Sequence, residues 1–304
     1  MIKQSTLKKS IQCKGIGLHS GKIITLTLRP APENTGIIYR RIDLVPPVEL
    51  ASHIDMIKNT NFCTSLENKN GIKISTIEHL SAALSGLWID NIVVELTGSE
   101  IPIMDGSAWP FVNLILRAGV KKLAYEKKFI HIKQLVRVEK EDKWIEAVPH
   151  DNFTLDVTID FDHPVIASTL QSYFFSFSIE NFIKNISRAR TFGFLKDIDI
   201  LRSQKLALGC NYNCAIVIGK NSILNPNGLR FSNEFVRHKI LDAIGDFFIP
   251  GHNFIGAFKS FKPGHTMHYL LLKKILKNKN TWELKKFKKT NSKMYINNDI
   301  IMDN

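Results

Sequence analysis

Cysteine is scarce, apolar runs are short and acidic residues are outnumbered, and each shortage closes off a class of protein. The 304-residue chain has four cysteines, Cys13, Cys63, Cys210 and Cys214, none in a CxxC pair. That spacing suits no disulfide framework, and two thiols at 210 and 214 are weak grounds for a metal, so buried or idle thiols are expected. No apolar run approaches the ~20 residues that cross a bilayer. The opening MIKQSTLKKSIQCKG carries charge but no apolar core or cleavage site, so a cytoplasmic protein without a signal peptide is expected. Zinc-finger, RNP-type and helix-turn-helix signatures are missing, so no nucleic-acid partner is expected. Against 28 acidic residues stand 41 basic ones, a net charge of +13. Such a surplus suits phosphate-bearing substrates or an anionic surface. Eight of the lysines crowd into 273–289, however, which reads as a surface helix or basic tail. At most a peripheral membrane contact is expected of it.

What is present centres on EFVRHKILDAIGDFF, 234–248. At about 100° per residue, Val236, Ile240, Ala243, Ile244 and Phe247 gather on one side of a helix. His238 and Asp242, at i and i+4, point the other way with Asp246 close by. An isolated pair of this kind is first of all an ion pair on a solvated face. A metal needs more, because catalytic zinc usually takes three protein ligands.

The third ligand comes from GIKISTIEHLSAAL, 71–84, which reads as a helix from Ser75 to about Gly86. Ser75 with Glu78 forms a capping-box pattern, so Glu78 taken alone is a cap. Beside His238 and Asp242 the same dipeptide reads differently, His79 as a ligand and Glu78 as a base. In GIGLHSG, 15–21, glycines flank Leu18 and His19 and predict a tight turn that presents both. Pro263–Gly264 predicts a second turn projecting His265, a loop histidine that could supply the acid. Lys239 and Lys262 flank this region and could meet phosphate.

Ile24, Leu26 and Leu28 alternate with polar residues as in a half-buried strand, and so do residues 153–161. The lysine-rich KKLAYEKKF, 121–129, is the expected linker. The chain therefore divides into an N-terminal α+β domain, 1–126, and a C-terminal one, 127–304, facing each other across a metal.

Seven motifs in order, GIGLHSG, STIEHLSAAL, IPIMDGSAWPF, TIDFDHP, SRARTFGF, FVRHKILDAIGD and FKPGHT, resemble the UDP-3-O-acyl-N-acetylglucosamine deacetylases. These are zinc hydrolases that commit the lipid A precursor in Gram-negative bacteria, and the resemblance runs from residue 1 to about 270. It implies an α+β fold of two similar ββααβ-type sandwich domains, each with an insert, and an active site between them. It implies one Zn2+ (or Fe2+) on His79, His238 and Asp242, with a fourth position for water. Glu78 would be the base on that water, His265 the cationic acid, Asp246 its orienting partner, and Thr191 a support for the tetrahedral intermediate. Lys239, Lys143 and Lys262 would meet the diphosphate, and Asp160 with Phe161 the uridine. An insert near 190–215 would form the acyl passage, lined by Leu18, Phe192 and Phe194, with His19 beside them. Ala207 stands where many relatives carry cysteine and Cys210 where they often carry glycine, which bears on acyl length. A monomer is expected. Another zinc amidohydrolase for a different N-acetyl sugar nucleotide is the main alternative, and a basic binding protein the non-enzymatic one.

Overall fold

The computed structural model describes residues 1–287. A first sheet contains β1 (Ile11–Ile16), β2 (Ile23–Pro30), β3 (Ile37–Arg41), β4 (Val48–Ala51) and β5 (Ile92–Leu96) in the order β1-β2-β5-β3-β4. A second contains β6 (Val136–Lys140), β7 (Lys143–Val148), β8 (Phe153–Thr158), β9 (Ser172–Ser176) and β10 (Phe254–Phe261), paired in the order β6-β7-β10-β8-β9. Every neighbour pair in both is antiparallel except that joining the late central strand to the second hairpin, β5 to β3 and β10 to β8. The two sheets thus have one topology. Strands Phe129–Ile132 and Trp282–Lys285 extend the second sheet.

Alternation explains the strands. In β2, Ile24, Leu26 and Leu28 are buried while their neighbours face outward. In β8 the inward set is Phe153, Leu155 and Val157, with Thr154 also buried.

Each sheet carries two long helices: α1 (Glu78–Gly86) and α2 (Trp109–Ala118) on the first, α3 (Glu234–Phe247) and α4 (His265–Lys277) on the second. An insert enters at the same point of each unit, between the fourth strand and the first of these helices. In the first unit it holds the short strands Ile57–Asn59, Ser65–Glu67 and Lys73–Ile74. In the second it holds the parallel pair Phe192–Phe194 and Ile216–Ile218, with the helix Ile198–Ser203 between them. This is an α+β fold of two similar sandwich units.

The units meet helix to helix, α1 against α3. Gly245 permits it: a Cβ there would lie 2.1 Å from the carbonyl oxygen of Glu78. Every residue of α3 except Arg237 and Lys239 is buried. The solvated face that an isolated His238–Asp242 pair would occupy is therefore absent, because α1 and the second insert cover the side that the sheet leaves free.

Two further expectations fail. Residues 121–129 join the units as a paired strand rather than an open linker: Val120–Glu126 pairs antiparallel with Lys3–Leu7. Lys127 is buried in an ion pair with Asp90, whose other oxygen accepts the Ser5 N–H at 2.9 Å. The lysines misled because the Val120–Glu126 strand of this ribbon buries little of either face. The chain after 270 is not a tail either, since Leu271, Leu272 and Ile275 of α4 enter the core. The end NNDIIMDN and the last two lysines of the 273–289 run, Lys288 and Lys289, lie outside the described residues.

Candidate metal centre and active site

Glu78 opens α1, but not through a capping box. Thr76 adopts a left-handed conformation (φ 58), which turns the chain before the helix and leaves Ile77 at the N-cap with no side-chain cap. Ser75 Oγ donates instead to the Ser99 carbonyl at 3.1 Å. Glu78 turns inward, where its Oε2 accepts the Thr64 N–H at 3.1 Å. Its neighbour His79 is 4% exposed and meets α3 across the helix contact.

There His79 Nε2 lies 3.7 Å and His238 Nε2 3.3 Å from one oxygen, Asp242 Oδ1. The rings of His79 and His238 stand edge to face, with centroids 5.0 Å apart. His238 Nδ1 donates to the Ala189 carbonyl at 3.0 Å, which leaves its Nε2 lone pair directed at the centre. Asp242 Oδ2 accepts from Lys239 Nζ at 2.8 Å, whereas Oδ1 is buried without a hydrogen-bond partner. A buried carboxylate oxygen with no donor, facing two imidazole nitrogens, is costly unless a cation completes it. One ligand atom from each residue comes within 4.8 Å of the others, so the donor set fits a single ion.

Protonation agrees with that reading. Burial pushes His238 down to about 3, against the pull of Asp242, so its ring is neutral, as a metal ligand must be. Burial alone would raise Asp242, but His238 and Lys239 outweigh it and hold the carboxyl well below its usual range.

A second array adjoins the first. His265, expected on a loop, is the first residue of α4, with Gly264 as the N-cap. Its Nδ1 donates to Asp246 Oδ2 at 2.7 Å, and its Nε2 lies 3.9 Å from Glu78 Oε1. Burial would lower the His265 pKa, but Asp246, Glu78 and Asp242 outweigh it and lift it to about 9. Burial raises that of Glu78, only partly offset by His265 and His79. A cationic imidazole thus stands beside a carboxyl poised to hold a proton.

A family model described as LpxC, UDP-3-O-acyl N-acetylglycosamine deacetylase, matches residues 4–277. The chain belongs to this deacetylase family. A protein of Wigglesworthia glossinidia brevipalpis named UDP-3-O-acyl-N-acetylglucosamine deacetylase is 69% identical over 98% of this chain and 100% of its own length. One of the same name from Sodalis glossinidius (strain morsitans) is 57% identical, covering 94% of each.

Around the centre of this family member lie two cavities, and Phe62 lines both. One, of about 270 Å³, is mostly apolar, with Leu18, His19, Phe192, Phe194, Ile198 and Leu201 in its wall. Thr191, Ala207 and Cys210 line it too. Glu100 holds the turn that presents Leu18 and His19, accepting the N–H groups of His19 and Ser20 at 2.8 and 2.9 Å. The other cavity, of about 530 Å³, is the more polar of the two and holds Lys143, Lys262 and His265.

Two of the expected phosphate contacts are already engaged. Lys239 is bound to Asp242 within the candidate metal centre. Lys262 meets Asp142 at 2.5 Å and Asp160 at 2.9 Å. Phe161 packs on Phe192 and Phe194, with ring centroids 5.6 and 6.2 Å away, and so lies toward the apolar side.

The structure also brings in residues that the sequence did not single out. Thr64 serves both arrays, its N–H on Glu78 and its hydroxyl on Asp246 Oδ1 at 2.6 Å. His268 shares Asp246 Oδ2 with His265. A helical reading of 265–277 would have revealed His268 one turn after His265, but NFCTS, around Thr64, carries no such signal.

Proposed function

We propose that the chain hydrolyses the N-acetyl amide of UDP-3-O-acyl-N-acetylglucosamine to acetate and the free amine, the committed step of lipid A biosynthesis. The observation that supports it most is the pairing of the Asp242–His79–His238 cluster with a raised Glu78 and a cationic His265, one carboxyl-to-imidazole step apart. His79, His238 and Asp242 would hold one divalent ion, zinc by the preference of imidazole and carboxylate donors, with Fe2+ the alternative. Such an ion, when bound, supplies Lewis acidity to the amide carbonyl.

The chain's own residues move the protons. Glu78 takes a proton from the attacking water. His265 Nε2–H steadies the charge on the carbonyl oxygen and then gives its proton to the amine nitrogen as the C–N bond breaks. Asp246 keeps the His265 ring oriented and charged through Nδ1, and Thr191, from the wall of the apolar cavity, supports the oxyanion. Lys239 is better used fixing Asp242 than meeting phosphate.

The polar cavity suits the diphosphate, on Lys143 and Lys262, the latter exchanging Asp142 or Asp160 for it. Asp160 and Phe161 would border the uridine. The apolar cavity suits the acyl chain, with Cys210 narrowing it. The division into units at 126/127, a monomeric state and a cytoplasmic location complete this reading.

The test is acetate release from the acylated substrate and from its acyl-free analogue, before and after chelation and zinc restoration. Metal-dependent release that strongly favours the acylated form is expected. Equal turnover of both forms would refute the acyl assignment. Activity unaffected by stripping the metal would refute the metal centre.

A further inference from the structure

Asp246 serves more than one histidine. From α3 its Oδ2 meets His265 Nδ1 and His268 Nδ1, each at 2.7 Å. Its Oδ1 takes the Thr64 hydroxyl. His268 is 0% exposed, its ring tilted against that of Phe247 with centroids 5.3 Å apart, and its Nε2 is buried with no partner. A carboxylate oxygen has only lone pairs to offer, so each Nδ1 must carry the hydrogen. A bare Nε2 lone pair is tolerated there more cheaply than an N–H without an acceptor, so neutral His268 fits the site. No packing need calls for an imidazole at this point, since an apolar side chain would fill the same space and leave nothing unpaired.

We propose that His268 is a positioning residue that, by holding Asp246 Oδ2, limits how strongly this carboxylate binds the proton of His265. Two donors on one oxygen compete. When His265 is cationic it draws most of the oxygen's charge, and the His268 bond weakens. When His265 has lost its proton the His268 bond strengthens. His268 therefore favours the deprotonated state and makes His265 the readier proton donor. The other groups facing His265 are Glu78 from α1 and Asp242 from α3. Lys143 and Lys262 line the same cleft. Among the described residues, the charged or titratable groups that His268 meets are Asp246 and His265. The catalytic benefit rests on the proposed role of His265 as acid; the effect on its proton affinity does not.

The experiment follows the His265 ring by NMR titration in the full-length, histidine-labelled chain, assigned by the signal lost in His265→Asn. In His268→Leu the midpoint of His265 should rise by about 1 pH unit, the scale of one hydrogen bond to a charged group. His268→Asn keeps an N–H donor and should restore most of the original value. If His268→Leu does not fold, His268→Met serves the same comparison. An unchanged or lowered midpoint in the apolar variants, or an Asn variant that behaves like them, overturns the proposal. The alkaline limb of the rate profile should follow the midpoint. A midpoint that moves while the limb stays would support the effect of His268 and refute His265 as the acid.

Discussion

Gly245→Ala should take the metal centre apart without altering any side chain that does chemistry. The added Cβ would fall 2.1 Å from the Glu78 carbonyl oxygen, 2.9 Å from its carbon and 3.1 Å from the Ala82 nitrogen. Backbone atoms inside a helix cannot swing aside. To reach the 3.4 Å of ordinary contact, α1 and α3 must part by about 1.3 Å at this point. Metal sites tolerate about 0.2 Å of error in ligand distance, so His79 can no longer share an ion with His238 and Asp242 at full strength. A displacement of about 1 Å typically costs about 100-fold in rate. Folding suffers less: overpacking costs about 1–3 kcal/mol, partly offset by the roughly 1 kcal/mol by which alanine is the better helix former. The expected result is a folded protein with at least about tenfold weaker zinc binding, measured by chelator competition, and about 100-fold lower kcat/KM. Wild-type zinc affinity and rate in a folded Gly245→Ala would refute the claim that this helix contact assembles the site.

Glu234→Ala should be among the most damaging changes at a residue that takes no direct part in the chemistry. Glu234 is 0% exposed and accepts the Arg190 N–H and Nε and the Arg230 N–H, so its loss strands a buried arginine. A cost of about 3–5 kcal/mol is expected in urea denaturation, and a loss under 1 kcal/mol would contradict it. Glu78→Gln should retain zinc while turnover falls about 10²–10⁴-fold; a rate near wild type would remove Glu78 as base. His265 binds its proton more tightly folded, at about 9, than unfolded, near 6.5. The stability it adds is complete below about pH 6.5 and is lost as pH rises through about 9. Denaturation from pH 6 to 10 should show that decline, and His265→Asn should flatten it. Lys262→Ala should raise KM with little change in kcat, since it removes uniform binding; a fall in kcat alone would place Lys262 elsewhere.

The chemistry was more legible than its setting. His238 and Asp242 at helical spacing, Glu78 beside His79, and a histidine after Pro263–Gly264 all betray themselves locally, through residue type and period. Their burial does not, because α3 is covered by elements remote in sequence. Thr64 acts through one backbone N–H and one hydroxyl, an assignment no pattern in its neighbours contains. The strand Val120–Glu126 was hidden because its partner is Lys3–Leu7, more than a hundred residues away, and exposure on both faces erases its alternation. Ser75 was misread for the converse reason: the capping pattern was present, but the left-handed Thr76 placed it outside the helix.

The bond from His238 to the Ala189 carbonyl ties two functions together. Ala189 leads through Arg190 and Thr191 directly into Phe192–Phe194, part of the wall of the apolar cavity. A ligand that fills the cavity and shifts this segment acts on the orientation of His238, a proposed metal ligand, at the same time. Thermodynamic reciprocity then applies: whatever factor an acyl chain imposes on metal affinity, the metal imposes on the affinity for the chain. Titrating the metal in the presence and absence of a fatty acid would read that factor directly, and loading the cavity becomes a way of adjusting the ion without touching it.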